Sequence, residues 1–100
     1  MQLNGIQFDL GRIEAMCRDA GVVRAWVFGS ILTDQFDPAS DIDVLVETDT
    51  RHPRGLLALG GLQMDLSELL GREVHLTLLG GVPTAERGSL VKSARLLDAA

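Results

Sequence analysis

Gly29 and Ser30, followed after ten residues by Asp41 and Asp43, have the types and spacing to do chemistry together. Glycine lets backbone approach a ligand closely. A serine hydroxyl and amide at a helix N-terminus make a favourable seat for a phosphate. In a strand, alternate side chains share a face and stand roughly 6.6 Å apart, so Asp41 and Asp43 point one way and Ile42 points into the core. Two carboxylates so placed can clamp hard divalent cations, which prefer oxygen ligands. A pair of metals about 3.5–4 Å apart is the usual arrangement for in-line attack on phosphorus. Gly-Ser alone is usually a turn, and Asp-x-Asp alone is usually a solvated strand edge. Both at one fixed spacing should arise by chance in on the order of one 100-residue chain in a thousand.

The elements around these residues read as strand, turn and strand. Leu10, Ile13, Met16, Cys17 and Ala20 recur at helical spacing over 8–20, with Gly21 as the stop. Val22 to Phe28 is β-branched and aromatic, a strand. Asp34 to Ser40 is turn chemistry around Asp37-Pro38. A second strand runs from Asp41 to about Glu47. Leu59, Leu62, Leu66, Leu69 and Leu70 mark a helix over 55–70, with Gly71 as its C-cap and Gly60-Gly61 as weak points costing about 1 kcal/mol each against alanine. Glu73 to Leu79 reads as a third strand. Ala85 to Asp98 reads as a closing helix with Leu90, Ala94 and Leu97 inward. The order is α-β-β-α-β-α, an α/β two-layer sandwich, as one domain over 1–100.

Composition narrows the function. Nine basic and fourteen acidic residues give a net charge of −5, and the basic residues are scattered singly, so direct nucleic-acid binding is not expected. Cys17 is the lone cysteine; no internal disulfide can form, and a cytoplasmic location is expected. No signal-peptide pattern is visible and no apolar run approaches the ~20 residues of a membrane span. Trp26 could stack on a base but reads as core or interface; Arg24 reads as a solvated charge, Cys17 as buried, and His52 as a loop residue.

Gly29-Ser30, ten residues, then Asp41-Ile42-Asp43 resembles the polymerase-beta-like nucleotidyltransferase superfamily, and the length and element order are similar to its minimal nucleotidyltransferase branch. The resemblance implies that Gly29 and Ser30 grip the triphosphate of ATP and that Asp41 and Asp43 bind Mg²⁺ or Mn²⁺. It further implies a helical HEPN-type partner protein, a toxin–antitoxin setting, and transfer of AMP to a hydroxyl on that partner. Two departures stand out. Ile31-Leu32-Thr33 follows Gly-Ser where many members carry a basic residue. Val74-His75-Leu76 stands where the family usually places a third carboxylate, which puts His75 in a catalytic position and leaves catalysis in question. Glu73 shares the face of His75 but is displaced by one strand step, roughly 6.6 Å, and Glu47 lies about 13 Å from Asp43 along its strand. A catalytically weakened antitoxin acting by binding alone is therefore the alternative to an active enzyme. Transfer to a small molecule ranks lower, because larger enzymes add a domain for that acceptor.

Overall fold

The computed structural model describes residues 1–51 and 54–99; the His52 reading lies outside the described residues. After Phe8, which is fully buried, helix α1 (Leu10–Asp19) starts where the Asp9 side chain accepts from the Arg12 amide at 3.2 Å. Phe8 before this cap and Ile13 in the first turn both lie in the core, the arrangement of a hydrophobic staple. Ile13 and Cys17 face inward as expected, whereas Leu10 is 40% exposed. Gly21 at φ 75° lets the chain turn directly into strand β3 (Val22–Phe28).

The long strands follow the sequence pattern closely. Strand β4 (Ile42–Thr48) pairs antiparallel with β3, and β5 (Val74–Leu78) pairs parallel with β4. The parallel connection is made by helix α2 (Gly55–Leu70), which ends at Gly71 in the left-handed conformation. Both glycines at 60 and 61 are accommodated inside α2. Helices α1 and α2 cover one face of the sheet, with Ala25, Val27, Ile42, Val44, Val46, Val74, Leu62 and Leu66 in the shared core. Trp26 and Leu45 are also buried but lie outside that cluster, on the opposite face. No helix among the described residues is long and apolar enough to cross a membrane.

The α/β two-layer reading holds, with two additions. A hairpin of β1 (Gln2–Leu3) and β2 (Ile6–Gln7) opens the chain, turning at Asn4-Gly5 with φ 48° and 79°. The expected closing helix over 85–98 is corrected: α3 spans Thr84–Ser93, and Arg95–Ala99 forms strand β6, antiparallel to β3. The sheet order is therefore β5-β4-β3-β6. Leu90, Ala94 and Leu97 fit a helical period, but the edge of β3 away from β4 would then expose a row of unpaired amides and carbonyls. Pairing with β6 satisfies them and buries Leu97 to 5% exposure.

Leu97→Ala should therefore lower unfolding free energy by about 2–4 kcal/mol in urea denaturation. A change below ~0.5 kcal/mol would show that the terminal segment is not docked as a strand.

Candidate active site

The sheet register brings the chemistry-bearing residues into one row. Phe28 pairs with Asp43, and Asp43 pairs with His75 on its other side. Gly29 follows Phe28 directly. Its φ of 80° favours glycine, and a β-carbon there would meet Asp43 Oδ2 at 2.7 Å. Two constraints thus fix this position: the backbone conformation and the close approach of the carboxylate. Residues Gly29–Leu32 form a single 3₁₀ turn, not a long helix. Within it, the Ser30 carbonyl accepts from the Thr33 amide and hydroxyl, both at 2.9 Å, which leaves the Ser30 hydroxyl outside these bonds.

Asp41 sits just before β4, and Ile42 between the two acids is fully buried. Asp41 Oδ2 lies 3.0 Å from His75 Nε2, and Glu73 Oε1 lies 3.5 Å from the same nitrogen. At such distances a nitrogen lone pair and carboxylate oxygens repel, so the imidazole carries a proton there or the groups share a cation. The ligating atoms of Asp41, Glu73 and His75 all fall within 4.8 Å of one another. Glu73 was expected to be displaced by a strand step, but its long side chain spans the gap. Asp43 lies outside this group of three, with its carboxylate against Gly29. Burial holds the Asp43 carboxyl above the usual carboxylate range; His75 opposes that shift and Asp41 adds to it.

Two residues that hold the site were not singled out from sequence. Asn4 Nδ2 donates to the carbonyls of Ile31 and Thr33 at 2.8 and 2.9 Å, pinning the terminal hairpin to the turn after Ser30. Arg72 donates to the carbonyls of Asp37 and Ser40 at 2.5 and 2.7 Å and lies over the Phe36 ring at 4.5 Å. It thereby ties the loop entering Asp41 to the start of β5. Asn4-Gly5 is a visible turn signal; nothing in the sequence marks Arg72.

The remaining candidates take structural places. Trp26 is 5% exposed, in keeping with the core reading. Arg24 pairs with Glu47 at 2.5 Å and lies 5.7 Å from the Trp26 ring, so it is a partnered rather than a simply solvated charge. Burial pushes the Cys17 thiol up to about 12. A concavity of about 890 Å³ opens along Arg24, Glu47, Thr50 and Arg87, at the opposite end of β4 from Asp43. By contrast, the side chains of Asp41, His75 and Glu73 are 44%, 52% and 69% exposed, an open surface rather than a cleft.

The chemistry of this donor set, two carboxylates and an imidazole with a third carboxylate nearby, fits a divalent cation. Mixed oxygen and nitrogen donors suit Mn²⁺ better than Mg²⁺, which demands near-octahedral oxygen.

Comparison with known proteins identifies the family and the fold. The family model for the nucleotidyltransferase domain matches residues 12–97. A protein of Methanocaldococcus jannaschii, provisionally named a protein adenylyltransferase, is 44% identical over 54 residues, 54% of this chain and 56% of that protein. The chain thus spans about half the length of that curated relative. A solved structure provisionally described as a minimal nucleotidyltransferase has a TM-score of 0.73 at 29% identity, covering 85% of each chain. The complex of tri-AMPylated Shewanella oneidensis HEPN toxin with MNT antitoxin has a TM-score of 0.61 at 22% identity, over 91% of this chain and 70% of that one, a likeness of fold.

Two outcomes follow from the geometry. Gly29→Ala should cost roughly 1–3 kcal/mol of stability in denaturant titration, from strained φ and the displaced Asp43; an unchanged midpoint would contradict the close approach. Because its folded-state pKa is raised, ionised Asp43 weakens the fold. Asp43→Asn should therefore raise the melting temperature at pH 7, with the gain vanishing below about pH 3.9, where both states are protonated. A lower melting temperature at neutral pH would reverse the assignment.

Proposed function

The chain belongs to the nucleotidyltransferase domain family, and we propose that it transfers AMP from ATP to a hydroxyl on a partner protein, a HEPN-type helical toxin. The observation that carries this reading is the row Gly29, Asp43, His75, with Asp41 beside it, at the mouth of a strand–turn–strand. The AMPylated toxin in the structurally similar complex supports the acceptor class. The exposure of the acid cluster supports a partner that supplies the acceptor.

Each residue has a role in this proposal. The Gly29-Ser30 turn binds the triphosphate through its backbone amides and the Ser30 hydroxyl. Asp41 and Asp43 hold the divalent cation, Mg²⁺ or Mn²⁺, and Glu73 stands in for the missing third carboxylate from one strand step away. When bound, the cation supplies positive charge against the phosphates. The acceptor oxygen forms a bond to the α-phosphorus while the bond to pyrophosphate breaks. His75, beside Asp41, takes the acceptor proton.

One observation favours a second reading. His75 stands opposite Asp43, where a carboxylate would add negative charge, and an imidazole adds none. The scaffold would then neutralise its partner by binding, with transfer weak or lost.

The test is incubation with ATP and the co-encoded helical protein, followed by intact-mass analysis of both. The proposal expects a gain of AMP on the partner, stronger with Mn²⁺ than Mg²⁺. Glu73→Gln should reduce it by about tenfold or more. His75→Asp should raise Mg²⁺-supported transfer if the native site is attenuated. Robust native activity with Mg²⁺ that falls on this change would show the histidine to be the working base. No transfer by native protein or variant, with a stable complex, would leave binding as the function.

A further inference from the structure

Helix α2 carries three large apolar side chains, Leu56, Leu57 and Met64, exposed on the side that faces away from the protein. Leu57 is 93% exposed, Leu56 82% and Met64 74%, while Leu62, Leu66 and Leu70 on the other side are buried in the core. At about 100° per residue, Leu57, Gly60, Gly61, Met64 and Glu68 form one stripe opposite that buried stripe, with half-buried Gly61 and exposed Glu68 on its edge toward α1. An ordinary surface helix is polar there, and large apolar side chains left exposed on one face mark an interaction surface. Nothing stands within 4 Å of a β-carbon built at Gly60 or Gly61, so the middle of the stripe is a shallow notch open to another backbone.

We infer that this face pairs with a second copy of the chain, helix α2 against helix α2, antiparallel about a two-fold axis between Gly60 and Gly61. The sequence of the stripe is complementary to its own reverse. About that axis Leu57 meets the partner copy's Met64, and Gly60 meets its Gly61, so a large side chain flanks each end of a close crossing. Arg54 and Glu68 lie about 10 and 11 Å from the axis along the helix, which sets each cation beside the other copy's carboxylate. Among the described residues no ion pair engages Arg54, Asp65 or Glu68, so these charges are available to the pairing. Such self-complementarity is what a two-fold interface requires and a different partner would not.

Absent side chains at the crossing allow the axes to approach near the ~8 Å lower end of helix packing. One helix pair buries less than the ~1,200 Å² of a standard interface, so the dimer is expected to be weak and concentration-dependent. The pairing face lies on the helical side of the sheet, while Trp26, Leu45 and Asp43 belong to the other side. Dimer formation therefore leaves both candidate active sites open, and the inference does not rest on the proposed activity.

The test is sedimentation equilibrium of the full chain from about 5 to 200 µM, a span set by the small interface. A monomer–dimer equilibrium is expected, and Leu57→Glu should weaken it at least tenfold without lowering the melting temperature. Arg54→Glu or Glu68→Arg alone should weaken it, and the two together should restore it. Mixing Leu57→Cys with Met64→Cys protein under oxidation should give a mixed disulfide dimer, while Leu57→Cys alone should not; buried Cys17 stays out of this reaction. A monomer throughout the range overturns the inference. So does a dimer indifferent to Leu57→Glu, or protection of this face only when a HEPN-type protein is added.

Discussion

The close contact between Gly29 and Asp43 governs the rest of the site. Strand β3 must end where β4 presents the Asp43 carboxylate, and the register pairing Phe28 with Asp43 achieves that. Any side chain at Gly29 would meet the carboxylate at 2.7 Å. The same register, carried one strand further, sets His75 opposite Asp43 and brings Glu73 within reach of His75. The Gly29-Ser30 turn and the acid cluster are thus brought together at one end of a single strand pairing. Asn4 and Arg72 serve that pairing from outside, one holding the turn and the other holding the loop into Asp41.

Much of this was legible in the sequence because it depends on local periodicity. The β-branched and aromatic run over 22–28 and the apolar run after Asp41 mark the strands, and Gly21 and Gly71 close helices with positive φ. What was not legible depends on contacts distant in sequence. Arg95–Ala99 becomes a strand because β3 offers an open edge, a demand that the helical spacing of Leu90, Ala94 and Leu97 does not reveal. Backbone spacing displaces Glu73 from the acids by one strand step, but a flexible four-bond side chain is not bound by strand rise. Arg72 is one of several scattered cations in the sequence and becomes a positioning residue only when two loop carbonyls and Phe36 converge on it.

The site sits at odds with the stability of the fold. Burial and the neighbouring Asp41 both disfavour an ionised Asp43, and His75 offsets them only in part. A carboxylate kept under such strain gains most from a bound cation, which would relieve that repulsion. The imidazole at the third position lowers the negative charge available for that task while adding a softer nitrogen donor. In the proposed reaction, an exposed cluster on a small scaffold would depend on what docks against it, both to exclude water and to bring an acceptor.

The central claim is that Asp41 and Asp43 act together to make nucleotide binding depend on a divalent cation. Calorimetric titration of ATP into the native chain and into Asp41→Asn with Asp43→Asn, each with and without Mn²⁺ or Mg²⁺, tests it directly. The account predicts cation-dependent affinity in the native chain and none in the double variant, with the fold of both intact by circular dichroism. Unchanged cation-dependent affinity in the double variant would contradict it.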